Sequence, residues 1–180
     1  MPVRLLFTCT ANRVRSPLAA AVARARIDAA GLPVVVTSAG QLEAGLPAVD
    51  DMVDVARRMG VDLSEHRSTQ LSPALVESVD LVVTMAGEHV VDLVALAPEV
   101  RSRTVTLKEW AAATESGRPL TDWSAEGVAT WAALTTQRPL EVLLSGELDV
   151  DDPIGRSRRH YRRAAAEIQA LLEVCLRPPV

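Results

Sequence analysis

Near its start the chain reads Cys9-Thr10-Ala11-Asn12-Arg13-Val14-Arg15-Ser16-Pro17: a cysteine, five residues, an arginine and a serine. The run lies between an apolar segment and the start of a helical pattern. A short loop curled at a helix N-terminus turns successive backbone N–H groups inward and makes an anion nest. The helix dipole adds about half a positive charge there. Thr10, Ala11, Asn12, Arg13, Val14 and Arg15 would form that cradle, and Arg15 adds a planar fork that grips two oxygens of a tetrahedral oxyanion. Cys9 sits in the same field, which favours its ionised sulfur. Nucleophile and oxyanion cradle then share one loop. The spacing alone is a weak pattern, because a lone cysteine ending a buried strand is usually a small core residue. The strand before, the helix after and Ser16-Pro17 at the junction give it weight.

The elements around the loop are readable. Val3–Cys9, Pro33–Thr37, Val79–Met85 and Thr104–Leu107 are short apolar or β-branched runs, as expected of strands buried on both faces. Helical patterns cover Ser16–Ala30, Pro47–Met59 and Glu88–Leu96. The first has Ser16 as its N-cap, Pro17 next and Gly31 just past the end. In the last helix Tyr161, Ala164, Ala165, Ile168, Leu171, Leu172 and Cys175 recur at i, i+3, i+4, i+7 spacing. Strands alternating with helices predict an α/β fold, an open parallel four-stranded sheet with helices on both faces. Ligands of such sheets bind beyond the carboxyl ends of the strands, where Cys9 falls. Residues 110–148, with Trp123, Trp131 and Trp110 at the edge, read as an inserted helical segment, with a helix from about Thr121 to Leu134. The whole of 1–180 reads as one domain.

Composition narrows the class. Charged residues make 23% of the chain and hydrophobic residues 48%, with a net charge of −4, which fits a folded domain and not a general polyanion binder. The expectation is no nucleic acid and no membrane, since no apolar run reaches the ~18 residues of a span. Cys9 and Cys175 can form neither a disulfide framework nor a four-ligand zinc site. No metal or cofactor and a reducing, cytoplasmic setting follow as the default. Lys108 is the sole lysine, so nearly all the positive charge is arginine.

Further motifs join the loop. Ser38-Ala39-Gly40 follows the second strand, His66-Arg67-Ser68-Thr69-Gln70-Leu71 comes later, Asp80-Leu81-Val82-Val83-Thr84-Met85 precedes His89, and Asp152-Pro153 precedes the last helix. Over residues 3–109 and 150–175 the chain resembles the low-molecular-weight protein tyrosine phosphatase family. The resemblance implies a three-layer, phosphotyrosine phosphatase I-like fold and a two-step mechanism. In it Cys9 attacks phosphorus and forms a phosphocysteine, Asp152 is the general acid and base, and Arg15 holds the oxygens. Ser16 would stabilise the Cys9 thiolate, and Asn12, Ser16, Ser38 and His66 match a hydrogen-bond network under the loop. Asp149 and Asp151 compete with Asp152, and the following proline decides for Asp152. Implied partners are a phosphorylated protein or small phosphorylated substrate, and phosphate, sulfate or a similar oxyanion in the loop. His89 and Cys175 read as structural.

The departures matter too. Val14 stands where many members carry a second cysteine, so that local redox switch is lost. Ala11 replaces the usual glycine and would press on the loop. Arg13 replaces an apolar residue or threonine at the pocket wall. Ile154-Gly155 and Leu42 stand near positions where tyrosine-specific members carry aromatics, leaving only the tryptophans of 110–131 to rebuild an aryl wall. Arg156, Arg158, Arg159, Arg162 and Arg163 form a solvated face or draw phosphate to the rim, and their place at a helix N-terminus suggests carboxylates nearby. Two other functions share these features: a thiol-dependent arsenate reductase, whose relay version needs a resolving thiol that only Cys175 could supply, and a catalytically weak phosphate- or partner-binding module.

Overall fold

A computed structural model describes residues 1–136 and 138–177. Four strands, β1 (Val3–Cys9), β2 (Val34–Gly40), β3 (Leu81–Thr84) and β4 (Thr104–Thr106), form one parallel sheet in the order β2-β1-β3-β4. The chain winds first from β1 to β2 and then back past β1 to β3. The crevice beyond the carboxyl ends of β1 and β3 is therefore the switch point where such sheets hold ligands.

Eight helices connect and cover the sheet among the described residues: α1 (Arg15–Ala29), α2 (Asp50–Arg58), α3 (Pro73–Glu77), α4 (Gly87–Leu96), α5 (Leu107–Glu115), α6 (Ala125–Thr135), α7 (Leu140–Leu143) and α8 (Arg158–Cys175). Strand alternation sorts the core into two layers. Leu5 and Phe7 of β1, with Leu81 and Val83 of β3, meet α1, α2 and α8. Leu6 and Val82 point the other way, against Val76, Leu93 and Val100. The α8 stripe of Tyr161, Ala164, Ala165, Ile168, Leu172 and Cys175 is buried, as its period predicts.

Several elements differ from the sequence reading. β2 runs three residues further, to Gly40, because its last residues pair with Thr8 and Cys9. α2 begins at Asp50, since Pro47 is engaged in a bridge with Arg67. The short α3, capped by Ser72, lies outside the helical patterns, and α5, which opens with a Thr106–Glu109 capping box, starts at Leu107, three residues ahead of the helical segment read from 110. α6 starts only at Ala125, where the Ser124 hydroxyl accepts from the Gly127 amide. No helix among the described residues is long and apolar enough to cross a membrane.

The tryptophans do not reach the crevice. Trp110 is fully buried and stacks edge-on against Trp131 at 5.9 Å and tilted against Trp123 at 6.2 Å. Trp123 shares a groove with Ala30, Leu32 and Cys175, at the far ends of α1 and α8. α1 alone puts roughly 20 Å between that cluster and the loop at its N-terminus. The tryptophans therefore rebuild no aryl wall there, because these rings pack on one another with α5 and α6.

Candidate active site

Residues 10–14 leave the end of β1, curl and enter α1. The expected N-cap is corrected here: α1 begins at Arg15 with Val14 at its cap position, and no side chain caps it. The Ser16 hydroxyl is used elsewhere, 3.0 Å from Cys9 Sγ. First-turn amides have no intrahelical partner, and without a side-chain cap they remain available to an anion. Pro17 fits in that turn because its missing N–H is not needed there.

One residue holds the curl. Asn12 is the only non-glycine residue with positive φ among those described, at 52°, a conformation asparagine tolerates. Its Nδ2 donates to Ser16 Oγ and to Ser38 Oγ, both at 2.9 Å. Its Oδ1 accepts from the Thr69 amide at 2.9 Å, and His66 Nε2 lies 2.7 Å from its carbonyl oxygen. Burial pushes His66 down, and its contact with the Asn12 carbonyl opposes that. The four residues matched by resemblance are thus brought together, with Thr69 as a partner the sequence did not single out. Ala11 does not carry the positive φ, so a glycine is not required there.

The crowding lies on the other side of the loop, at Gly40. A Cβ on Gly40 would stand 2.6 Å from the Asn12 nitrogen, 2.8 Å from the Thr10 oxygen and 2.9 Å from the Ala11 carbonyl carbon. These are backbone atoms that cannot swing away. Gly40→Ala is expected to destabilise the fold by about 1–3 kcal/mol and to weaken inhibition by inorganic phosphate, measured by thermal unfolding and inhibition kinetics. An alanine variant with unchanged melting and phosphate affinity would show that the loop yields freely.

Arg15 is 4% exposed and reaches across the crevice. Its Nη1 donates to the Val150 carbonyl at 3.1 Å; its Nη2 donates to Thr10 Oγ1 at 3.3 Å and to Asp152 Oδ2 at 2.5 Å. The Val150 amide is itself tied to the Met85 carbonyl at 2.8 Å, so β3 positions the segment that carries Asp152. The competing acids go elsewhere: Asp149 accepts from the Gly87 amide, and Asp151 is exposed. The Asp152 side chain is about one-third exposed, and its Oδ1 accepts from the Ile154 amide at 3.0 Å.

Leu42 and Ile154, 54% and 47% exposed, stand on segments whose backbone is tied to the loop and to Asp152. Leu42 bonds through its amide to the Thr10 carbonyl. Arg13 is half-buried and laid along the rim, with Nε donating to the Pro47 carbonyl at 2.8 Å. Tyr161 is buried below the segment; burial first, then the Asp51 and Asp152 carboxylates, push its hydroxyl up. In the arginine cluster, Arg158 pairs with Asp51 at 2.7 Å and lies 3.8 Å from Asp54, the carboxylates its helix-start position called for. Cys175 is buried near Leu107, and burial pushes its thiol up. At the opposite end of α8 from Asp152, it is no resolving partner for Cys9.

Cys9 opens a helix-start loop that ends at Arg15, and Arg15 meets Asp152, an arrangement that fits a cysteine-dependent phosphatase. A family model described as low molecular weight phosphotyrosine protein phosphatase matches residues 4–133, through the first part of the segment that the motifs left uncovered. The chain belongs to that family. It is 36% identical over 109 residues to the low molecular weight protein-tyrosine-phosphatase Etp of Escherichia coli K12, covering 59% of this chain and 70% of that one. It is 29% identical to a protein-arginine-phosphatase of Geobacillus stearothermophilus, over 96% of this chain and 93% of the relative. The solved low molecular weight protein tyrosine phosphatase of T. tengcongensis superposes with a TM-score of 0.73 at 29% identity, covering 96% of each chain.

Proposed function

We propose that the chain hydrolyses phosphomonoesters in two steps, with roles set by the convergence of Cys9, Arg15 and Asp152 on one loop. The Cys9 thiolate attacks phosphorus while the bond to the ester oxygen breaks and Asp152 gives that oxygen its proton. Asp152 then takes a proton from the water that attacks phosphocysteine, releasing phosphate and the thiolate. Ser16, 3.0 Å from the sulfur, stabilises it as nucleophile and leaving group. Arg15 and the loop amides hold the equatorial oxygens.

The substrate is a protein phosphotyrosine or a related phosphate, recognised chiefly through its phosphoryl group. Two features support this breadth. The segments tied to the loop and to Asp152 carry Leu42 and Ile154 and no aromatic ring, and the three tryptophans pack on one another. The cradle binds a dianion that is common to phosphotyrosine, phosphoarginine and small phosphate esters, so a substrate panel ranks them.

Asp152 shares Arg15 with any incoming anion, because its Oδ2 already contacts the guanidinium. Asp152→Asn therefore has two expected effects. Turnover falls ~10²-fold for an alkyl phosphate, within the range for a lost general acid, and less for p-nitrophenyl phosphate, whose leaving group needs little protonation. Inorganic phosphate inhibits more tightly, because a competing carboxylate is gone. Equal losses on both esters would remove Asp152 from the acid role.

A further inference from the structure

His89 lies in the first turn of α4 and is 2% exposed. Its Nε2 is 3.0 Å from Thr10 Oγ1, the hydroxyl that also accepts from Arg15 Nη2 at 3.3 Å. Its Nδ1 meets no partner among the described residues, and the exposed Glu88 carboxylate stands 3.8 Å from Nε2, beyond hydrogen-bond distance. Burial first, and then the Arg15 charge, push His89 down to about 3, so the ring is neutral at mildly acidic and neutral pH. It acts by hydrogen bonding and not by charge. A threonine hydroxyl has one proton and two lone pairs, so it can bond Arg15 and His89 together in either imidazole tautomer. Burying a neutral imidazole with one nitrogen unmet is unfavourable, and the one strong contact it makes leads to the cradle.

We propose that His89 is a positioning residue for Arg15, acting through the Thr10 hydroxyl to keep the guanidinium edge aimed at the bound oxyanion. The proposal rests on Arg15 as the phosphate-gripping group. Of the three oxygens that hold Arg15, the Asp152 carboxylate must turn to the ester oxygen during reaction. The Val150 carbonyl and the Thr10 hydroxyl then remain to fix the guanidinium plane. Freedom in that plane weakens charge stabilisation in the transition state more than initial binding.

Steady-state kinetics on p-nitrophenyl phosphate test this with wild type, Thr10→Val, His89→Leu, the double variant, His89→Gln and His89→Asn. His89→Leu and Thr10→Val should each lower kcat about tenfold, a hydrogen bond to a charged group, with KM changed less. The double variant should match Thr10→Val alone to within about twofold, because one path carries both effects. Gln places an amide where Nε2 stands and should recover most of the rate; Asn reaches only the Nδ1 position and should not. Unchanged kcat in His89→Leu, additive losses in the double variant, or equal recovery by Gln and Asn would each overturn the proposal. Should His89→Leu fail to fold, the Gln and Asn comparison decides. An inactive wild type would instead overturn the phosphatase roles beneath it.

Discussion

Cys9→Ser is expected to reduce turnover of p-nitrophenyl phosphate, at mildly acidic pH and without added metal, by on the order of 10³-fold or more. The serine hydroxyl would occupy nearly the same buried place beside Ser16. It differs in chemistry: an alcohol stays un-ionised at this pH, and as an alkoxide it is a far worse leaving group than a thiolate in the second step. The cradle itself is made by backbone amides and Arg15, which the substitution leaves in place. Inorganic phosphate should therefore still bind, within about threefold of wild type as judged by calorimetry. Loss of rate with binding retained is the signature of a nucleophile. Turnover that survives in Cys9→Ser would reject the covalent mechanism.

Arg15→Lys should give the contrasting pattern. A loss of about 10²–10³-fold in kcat is the cost of removing a preorganised oxyanion donor, and phosphate binding should fall with it. The guanidinium spans the Val150 carbonyl, the Thr10 hydroxyl and Asp152 with two separate nitrogens. A lysine ammonium is a single point on a flexible stem and cannot bridge them while presenting a planar edge to two oxygens. It would also leave the Val150 carbonyl or the Thr10 hydroxyl unmet in a nearly buried place. Measured kcat and phosphate inhibition that both stay near wild type would remove Arg15 from the cradle and leave the loop amides alone to hold the anion.

Much of the site was readable because its chemistry is local. The loop from Cys9 to Arg15 is a contiguous stretch, and its strand and helix neighbours have clear periodicity. Asn12 is marked by its tolerance of positive φ, and the α8 stripe by its 3.6-residue repeat. Ser16 reads as a cap from sequence because serine at a helix start has two uses, and the choice depends on a sulfur seven residues earlier. The tryptophans looked available for a pocket wall because no local pattern records which end of a helix a distant ring packs against.

His89 shows the same limit more sharply. Its spacing on α4 reads as an ordinary buried position, and only the pairing of β1 with β3 brings it to Thr10. Gly40 is similar: its lack of a side chain gains meaning only from the loop backbone laid against it. Asp152 stands between, singled out by Asp-Pro ahead of a helix, yet its hold on Arg15 depends on Val150 pairing with Met85. Chain order thus determined the parallel α/β plan and marked the proposed nucleophile and its loop, since strand and helix periods and a seven-residue loop are properties of neighbouring residues. Long-range packing decided which acid reaches Arg15 and what else holds it, because those contacts join residues up to 137 positions apart and follow from sheet order.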